Sequence, residues 1–121
     1  MDTSMNKTLS DGLHELMGHV LSSVEFVEDY VQLRFDGACL SAYTLPVVTW
    51  GAGTLAFGES GYRDVLCRQI GCRLVQTDVD DTVVSMIFES GATVSISLRD
   101  EDYRGPEALQ LSLDQSRIWV A

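Results

Sequence analysis

Slid along its own length by 53 residues, so that Gly18 falls on Gly71, the chain matches itself. Asp11, Leu13, Gly18, Leu21, Val31 and Phe35 recur as Asp64, Leu66, Gly71, Leu74, Val84 and Phe88, while Glu25 and Glu28 become Asp78 and Asp81. One inserted residue at Ser90 moves the offset to 54, and Gly37, Ala38 and Ser41 then fall on Gly91, Ala92 and Ser95. The matches sit where geometry demands a particular residue: a helix face, a helix-ending glycine, a strand interior, a turn glycine. A chain built this way is expected to fold residues 9–44 and 62–98 as two versions of one unit.

Each version reads as a helix followed by three strands. Leu9, Leu13, Leu16 and Met17 are spaced for one helix face, as are Tyr62, Leu66 and Ile70. Gly18 and Gly71 end these helices, because glycine takes the left-handed conformation beyond a last turn without a steric penalty. First strands are expected at Val20 to Val27 and Arg73 to Val79, then acidic turns, Glu28-Asp29 answering Asp80-Asp81. Second strands run over Tyr30 to Phe35 and Thr82 to Phe88, rich in β-branched and aromatic residues. Asp36-Gly37 and Glu89-Ser90-Gly91 are the hairpin turns. Third strands cover Leu40 to Leu45 and Thr93 to Leu98, the latter alternating Val94, Ile96 and Leu98 against Ser95 and Ser97, which predicts one buried and one wet face.

Two stretches lie outside the repeat. Residues 45–61 form an apolar, glycine-interrupted connector that begins at a strand-breaking Pro46 and reads as extended, with one short strand at Thr54 to Phe57. Residues 107–121 read as a closing hairpin, Ala108 to Leu113 and Arg117 to Ala121 about an Asp114-Gln115-Ser116 turn; a helix at 107–114 competes, because Glu, Ala, Leu and Gln favour helices. The expected fold class is therefore α+β: an antiparallel, β-rich single domain made of two pseudo-repeated helix–strand–strand–strand units plus a C-terminal hairpin. A length of 121 residues suits one domain that needs no disulfide or metal to hold it.

Charge narrows the partners. The formal net charge is −10, from 18 acidic against 8 basic residues. Phosphate backbones and anionic lipid would repel such a chain, so neither nucleic acid nor a membrane is expected as partner, whereas a basic protein would be attracted. No apolar run reaches the ~20 residues of a membrane span. Met1 to Ser10 has no apolar core behind a basic start, so no signal peptide is expected. Three scattered cysteines, Cys39, Cys67 and Cys72, suit free thiols in a reducing cytoplasm.

Several stretches carry residues of chemical interest, each with a plainer reading. Asp78-x-Asp80 with Glu89 has the outline of a calcium loop, but Val83 stands where the loop requires glycine. His14 and His19 correspond to Cys67 and Cys72, a set of zinc-ligand types that would have to converge about a pseudo-twofold axis; the spacing within each pair is at the upper limit, and no metal or other cofactor is expected. Gly51-Ala52-Gly53 opens like a phosphate loop and then lacks its basic residue, and no serine sits in a nucleophile elbow. Trp50 is either a binding anchor on the connector or a ring folded back over the sheet, and Trp119 in Ile118-Trp119-Val120 is expected to pack.

Gly18-x-x-Leu21, the run Asp29-Tyr30-Val31-Gln32-Leu33-Arg34-Phe35-Asp36-Gly37, Phe88-Glu89-Ser90-Gly91, and Gly105-Pro106-Glu107-Ala108 with Ile118-Trp119-Val120 together resemble a loose group of small bacterial proteins. Most of that group have no known function, and some are similar to immunity proteins, which block a toxin by binding it. The resemblance implies a fold and carries no functional residue. The expected function is a non-enzymatic protein-binding module, in concrete form an immunity-type inhibitor of a basic toxin. Its contacts would be Glu25, Glu28, Asp29, Asp78, Asp80, Asp81, Asp100, Glu101 and Asp102, with Trp50 as aromatic anchor. The alternatives are a homodimer or larger homo-oligomer formed through sheet edges, and a small Cys/His metal protein or enzyme.

Overall fold

Alternation in the strands decides which way each sheet faces. Val31, Leu33 and Phe35 are buried in β2 (Tyr30–Phe35), with Arg34 exposed between them, and Val84, Met86 and Phe88 are buried in β7 (Val83–Phe88). Both apolar rows point inward and meet, the Phe35 and Phe88 rings stacking at 6.3 Å between centroids and 10° between planes. The structure is a computed structural model and describes residues 3–51, 53–114 and 117–121, with residues 3–8 as backbone only. Ala52, Gln115 and Ser116, which the sequence placed in the connector and the last turn, lie outside the described residues.

The first half runs α1 (Thr3–His14), β1 (Ser23–Val27), β2 and β3 (Ala38–Ala42), then a hairpin of β4 (Val47–Trp50) and β5 (Gly53–Leu55). The second half runs α2 (Tyr62–Cys67), β6 (Leu74–Val79), β7 and β8 (Thr93–Ser97). A 3₁₀ turn at Asp100–Asp102 follows, then a hairpin of β9 (Leu109–Ser112) and β10 (Ile118–Val120). Among the described residues these strands form two five-stranded antiparallel sheets, β1-β2-β3-β9-β10 and β5-β4-β8-β7-β6. Each hairpin therefore leaves its own half and completes the sheet of the other, β9 pairing with β3 and β4 with β8. The protein is thus mostly antiparallel β with two short helices, an α+β arrangement.

The halves are also joined below the helices. Gly18 N–H donates to Leu74 O at 2.7 Å and Gly71 N–H to Leu21 O at 2.8 Å, while Leu21 N–H reaches Cys72 O and Leu74 N–H reaches His19 O. Both glycines take positive φ, +89° and +92°, which turns the chain out of each helix and into these bonds. One core takes side chains from both sheets and both helices, including Leu9, Leu13 and Leu16 of the first half and Tyr62 and Leu66 of the second. Gly12 on α1 admits the Trp119 ring, whose carbons stand 3.0 Å from where a Cβ would lie.

Several expectations need correction. The 45–61 connector is not a mere extended link: Val47–Trp50 and Gly53–Leu55 form a hairpin on β8, with Gly51 at φ +63° in its turn. Without it, β8 would expose an unpaired edge. The competing helix at 107–114 is absent, because Leu109 and Leu111 alternate inward and are fully buried in a strand. Helix α1 starts earlier than its apolar stripe and ends at His14, and Ile70 lies beyond α2 with 43% of its surface exposed. The first strands begin at Ser23 and Leu74, with Val20 and Arg73 forming an isolated bridge between them.

Candidate functional site

Three acidic stretches lie toward one end of the molecule, with Arg104 among them. Glu28 and Asp29 form the β1–β2 turn, both exposed, and Arg104 donates from Nη1 to the Asp29 carbonyl at 3.2 Å. Arg104 in turn shares the lining of a groove of about 520 Å³ with Thr82, from the β6–β7 turn, and Asp102, from the 3₁₀ turn. A smaller hollow of about 260 Å³ lies beside it, walled by Asp29, Tyr43, Arg104 and Glu107. Asp80, Asp81, Asp100 and Glu101 are exposed around this end.

The acids differ in what holds them. Asp80 Oδ1 accepts from Thr82 N at 2.7 Å, Thr82 Oγ1 at 2.9 Å and Val83 N at 2.9 Å, a side chain closing its own turn. These bonds, the Thr82 backbone N–H foremost, hold its carboxyl below the ordinary range. Asp102 Oδ2 accepts from Ser97 Oγ at 2.6 Å and so braces the 3₁₀ turn against β8. Asp80 and Asp102 therefore shape the backbone as well as carrying charge.

Glu25 and Asp78 lie in strands rather than in turns. Glu25 is cross-strand to Gln32 on the outer face of the first sheet, and its carboxylate accepts from Arg34 Nε and Nη2, both at 3.2 Å. That bond, chiefly, raises the Arg34 guanidinium further above its ordinary pKa. Asp78 is cross-strand to Ser85 on the outer face of the second sheet and accepts from Gln76 Nε2 at 3.0 Å. With the two inner faces packed together, these acids point off opposite sides.

Trp50 belongs to β4, not to a loop, and sits at the other end of the second sheet. Its Nε1–H donates to Ser90 O at 3.3 Å, beyond the far end of β7, and Arg68 lies 5.8 Å from the ring centroid. The six residues of β7 put about 17 Å between that end and the acidic turns. Trp50 and the acids cannot share one compact contact.

His14 and Cys67 are exposed, and His19 stands 3.7 Å from Asp36 as an ion-pair partner when protonated. Among the described residues no three His, Cys, Asp or Glu side chains come together as a metal site, and no helix is long and apolar enough to cross a membrane. Sequence reasoning passed over Arg99 and Arg104, the two cations of the groove. Their signal was the run Arg99-Asp-Glu-Asp-Tyr-Arg104, in which bases bracket the acids. No protein-family model, no curated protein and no solved structure matches this chain.

Proposed function

We propose that this chain is a non-enzymatic, cytoplasmic protein-binding module, built from two copies of one unit, whose acidic end takes a basic surface of a partner protein. Its concrete form is a bacterial immunity-type inhibitor of a basic toxin. The supporting observation is the gathering of Glu28, Asp29, Asp81, Asp100 and Glu101, from three separate stretches, around one end of the fold. Exposed carboxylates gathered at one end of a chain with net charge −10 speed encounter with a cation-rich surface.

The test uses a partner recovered from the native host and purified. Charge reversal at Glu28, Asp81, Asp100 and Glu101 together is expected to slow association at low salt by roughly tenfold or more and to flatten its salt dependence. Circular dichroism should remain unchanged. Reversal at Glu25 and Asp78, which point off opposite faces, should have the smaller effect. An unchanged association rate in the fourfold variant overturns the proposal.

A homo-oligomer joined through sheet edges is the second reading. It is favoured by β10, an edge strand whose Ile118 and Val120 are 53% and 39% exposed. Mass measurement in solution decides it: a monomer at working concentration removes it, and a dimer lost on Ile118→Lys supports it.

A further inference from the structure

The two halves differ where each second strand begins. In the first half Tyr30 opens β2 and Tyr43 follows β3, their rings 5.3 Å apart and tilted by 58°, filling the end of the sheet. In the second half the corresponding places hold Val83, the first residue of β7, and Ser97, the last of β8, which are cross-strand partners. With two rings missing, the space stays open as the groove of about 520 Å³, against about 260 Å³ beside Tyr43.

The groove has two kinds of wall. Leu45, Val47 and Val83 supply apolar surface, and Arg99 and Arg104 line the same space. The other arginines are engaged elsewhere. Arg34 pairs with Glu25, Arg117 with Glu15 and Asp114, Arg73 donates to Gly18 O, Arg63 lies over Phe26 and Phe57, and Arg68 lies by Trp50. Arg104 gives one N–H to Asp29 O and Arg99 lies near enough to Asp80 to help hold its carboxyl down, but among the described residues neither arginine has a carboxylate at ion-pair distance.

We propose that this groove binds a small monoanionic carboxylate with a flat apolar body. The carboxylate lies against Arg99 and Arg104, and the body covers Val47 and Val83 where tyrosine rings stand in the first half. A guanidinium fork matches a carboxylate in shape and charge, and small-molecule sites of a few hundred Å³ combine apolar walls with a few fixed polar groups. Asp102, also in the lining, selects for a single negative charge, because a dianion would meet its carboxylate without a third cation to offset it. The groove lies at the acidic end proposed above to meet a partner and shares Thr82, Asp102 and Arg104 with it, but its anion site does not rest on that function.

Benzoate is the probe, followed by amide NMR on the full chain at a pH above the second pKa of inorganic phosphate, with benzamide and phosphate as neutral and dianionic controls. Benzoate should shift the amides of Val47, Val83, Ser95 and Arg99 saturably, with a dissociation constant of roughly a millimolar or weaker, as suits a ligand of so few atoms. Benzamide and phosphate should bind about tenfold more weakly, and Arg99→Gln and Arg104→Gln should each weaken benzoate by about tenfold. A double variant, Val83→Tyr with Ser97→Tyr, should fill the groove and abolish the shifts. The arginine variants, at exposed positions, keep the test decisive if that double variant misfolds. Benzamide binding as tightly as benzoate, unchanged affinity in both arginine variants, or no saturable shift up to roughly tens of millimolar overturns the proposal.

Discussion

The first half of the molecule closes the end of its sheet with two tyrosines, and the second leaves the same place open between Val83 and Ser97. Their helices differ too: α1 lends Leu9 and Leu13 to the core, whereas the shorter α2 lends Leu66 and Tyr62, whose hydroxyl donates to the buried Pro46 carbonyl at 2.7 Å. Where the halves agree, they agree in the core: Val31 with Val84, Leu33 with Met86, Phe35 with Phe88. Close packing explains the pattern. A core position must keep its volume, while a sheet end facing water can lose a ring without leaving a sealed void.

The largest expected effect tests that agreement. Phe35→Ala and Phe88→Ala should each cost about 3–5 kcal/mol in denaturant unfolding, since each removes one ring of a buried stack. If one costs far less than the other, the two sheets do not share the core equally.

Tyr62→Phe sharpens the contrast between the helices. It strands the Pro46 carbonyl and should cost about 1–3 kcal/mol, with no counterpart at Leu9. Burial pushes the Tyr62 phenol up to about 12, opposed weakly by Arg63. A folded pKa above the unfolded value near 10 means that this contribution is complete below about pH 10 and is lost as pH rises through about 12. Unfolding measured between these limits should show a steeper alkaline loss in the wild-type chain than in Tyr62→Phe.

Gly18→Ala and Gly71→Ala should cost alike, about 1–2 kcal/mol each, because both replace a positive-φ glycine and neither Cβ meets any atom within 4 Å. Unequal thermal shifts would show that the paired helix ends are not equivalent. The smallest effect concerns the turns. Asp80 locks the second turn, and its lowered pKa means that the lock is present above the ordinary carboxylate range and is lost as pH falls through its folded value. Asp80→Ala, which removes the acceptor, should speed amide exchange at Thr82 and Val83 at neutral pH while leaving the Glu28-Asp29 turn as it was. Unchanged exchange would mean that the lock contributes nothing.

Much of the secondary structure was legible. β-branched and aromatic content placed β2 and β7, and period-2 alternation placed β8, each to within a residue or two, and Asp36-Gly37 forms its turn with φ of +47° and +98°, as such a pair does between strands. The connector was misjudged because Gly51 and Gly53 break its pattern, although Val47 and Val48 were already strand-forming residues. The acidic end was visible as composition, but its separation from Trp50 was not, since that depends on which end of a strand each turn occupies.

What the sequence by itself determined is local: which residues alternate, which glycines turn the chain, which faces are apolar, how strongly the chain is charged. Only the tertiary structure decided that β4 pairs with β8 and β9 with β3. A hairpin's outer edge offers the same N–H and C=O groups to any strand, so its partner is chosen by whichever edge remains open once both apolar faces have met. The groove has the same origin. It is a space bounded by residues distant in the chain, and a void of that kind has no pattern of its own in the sequence.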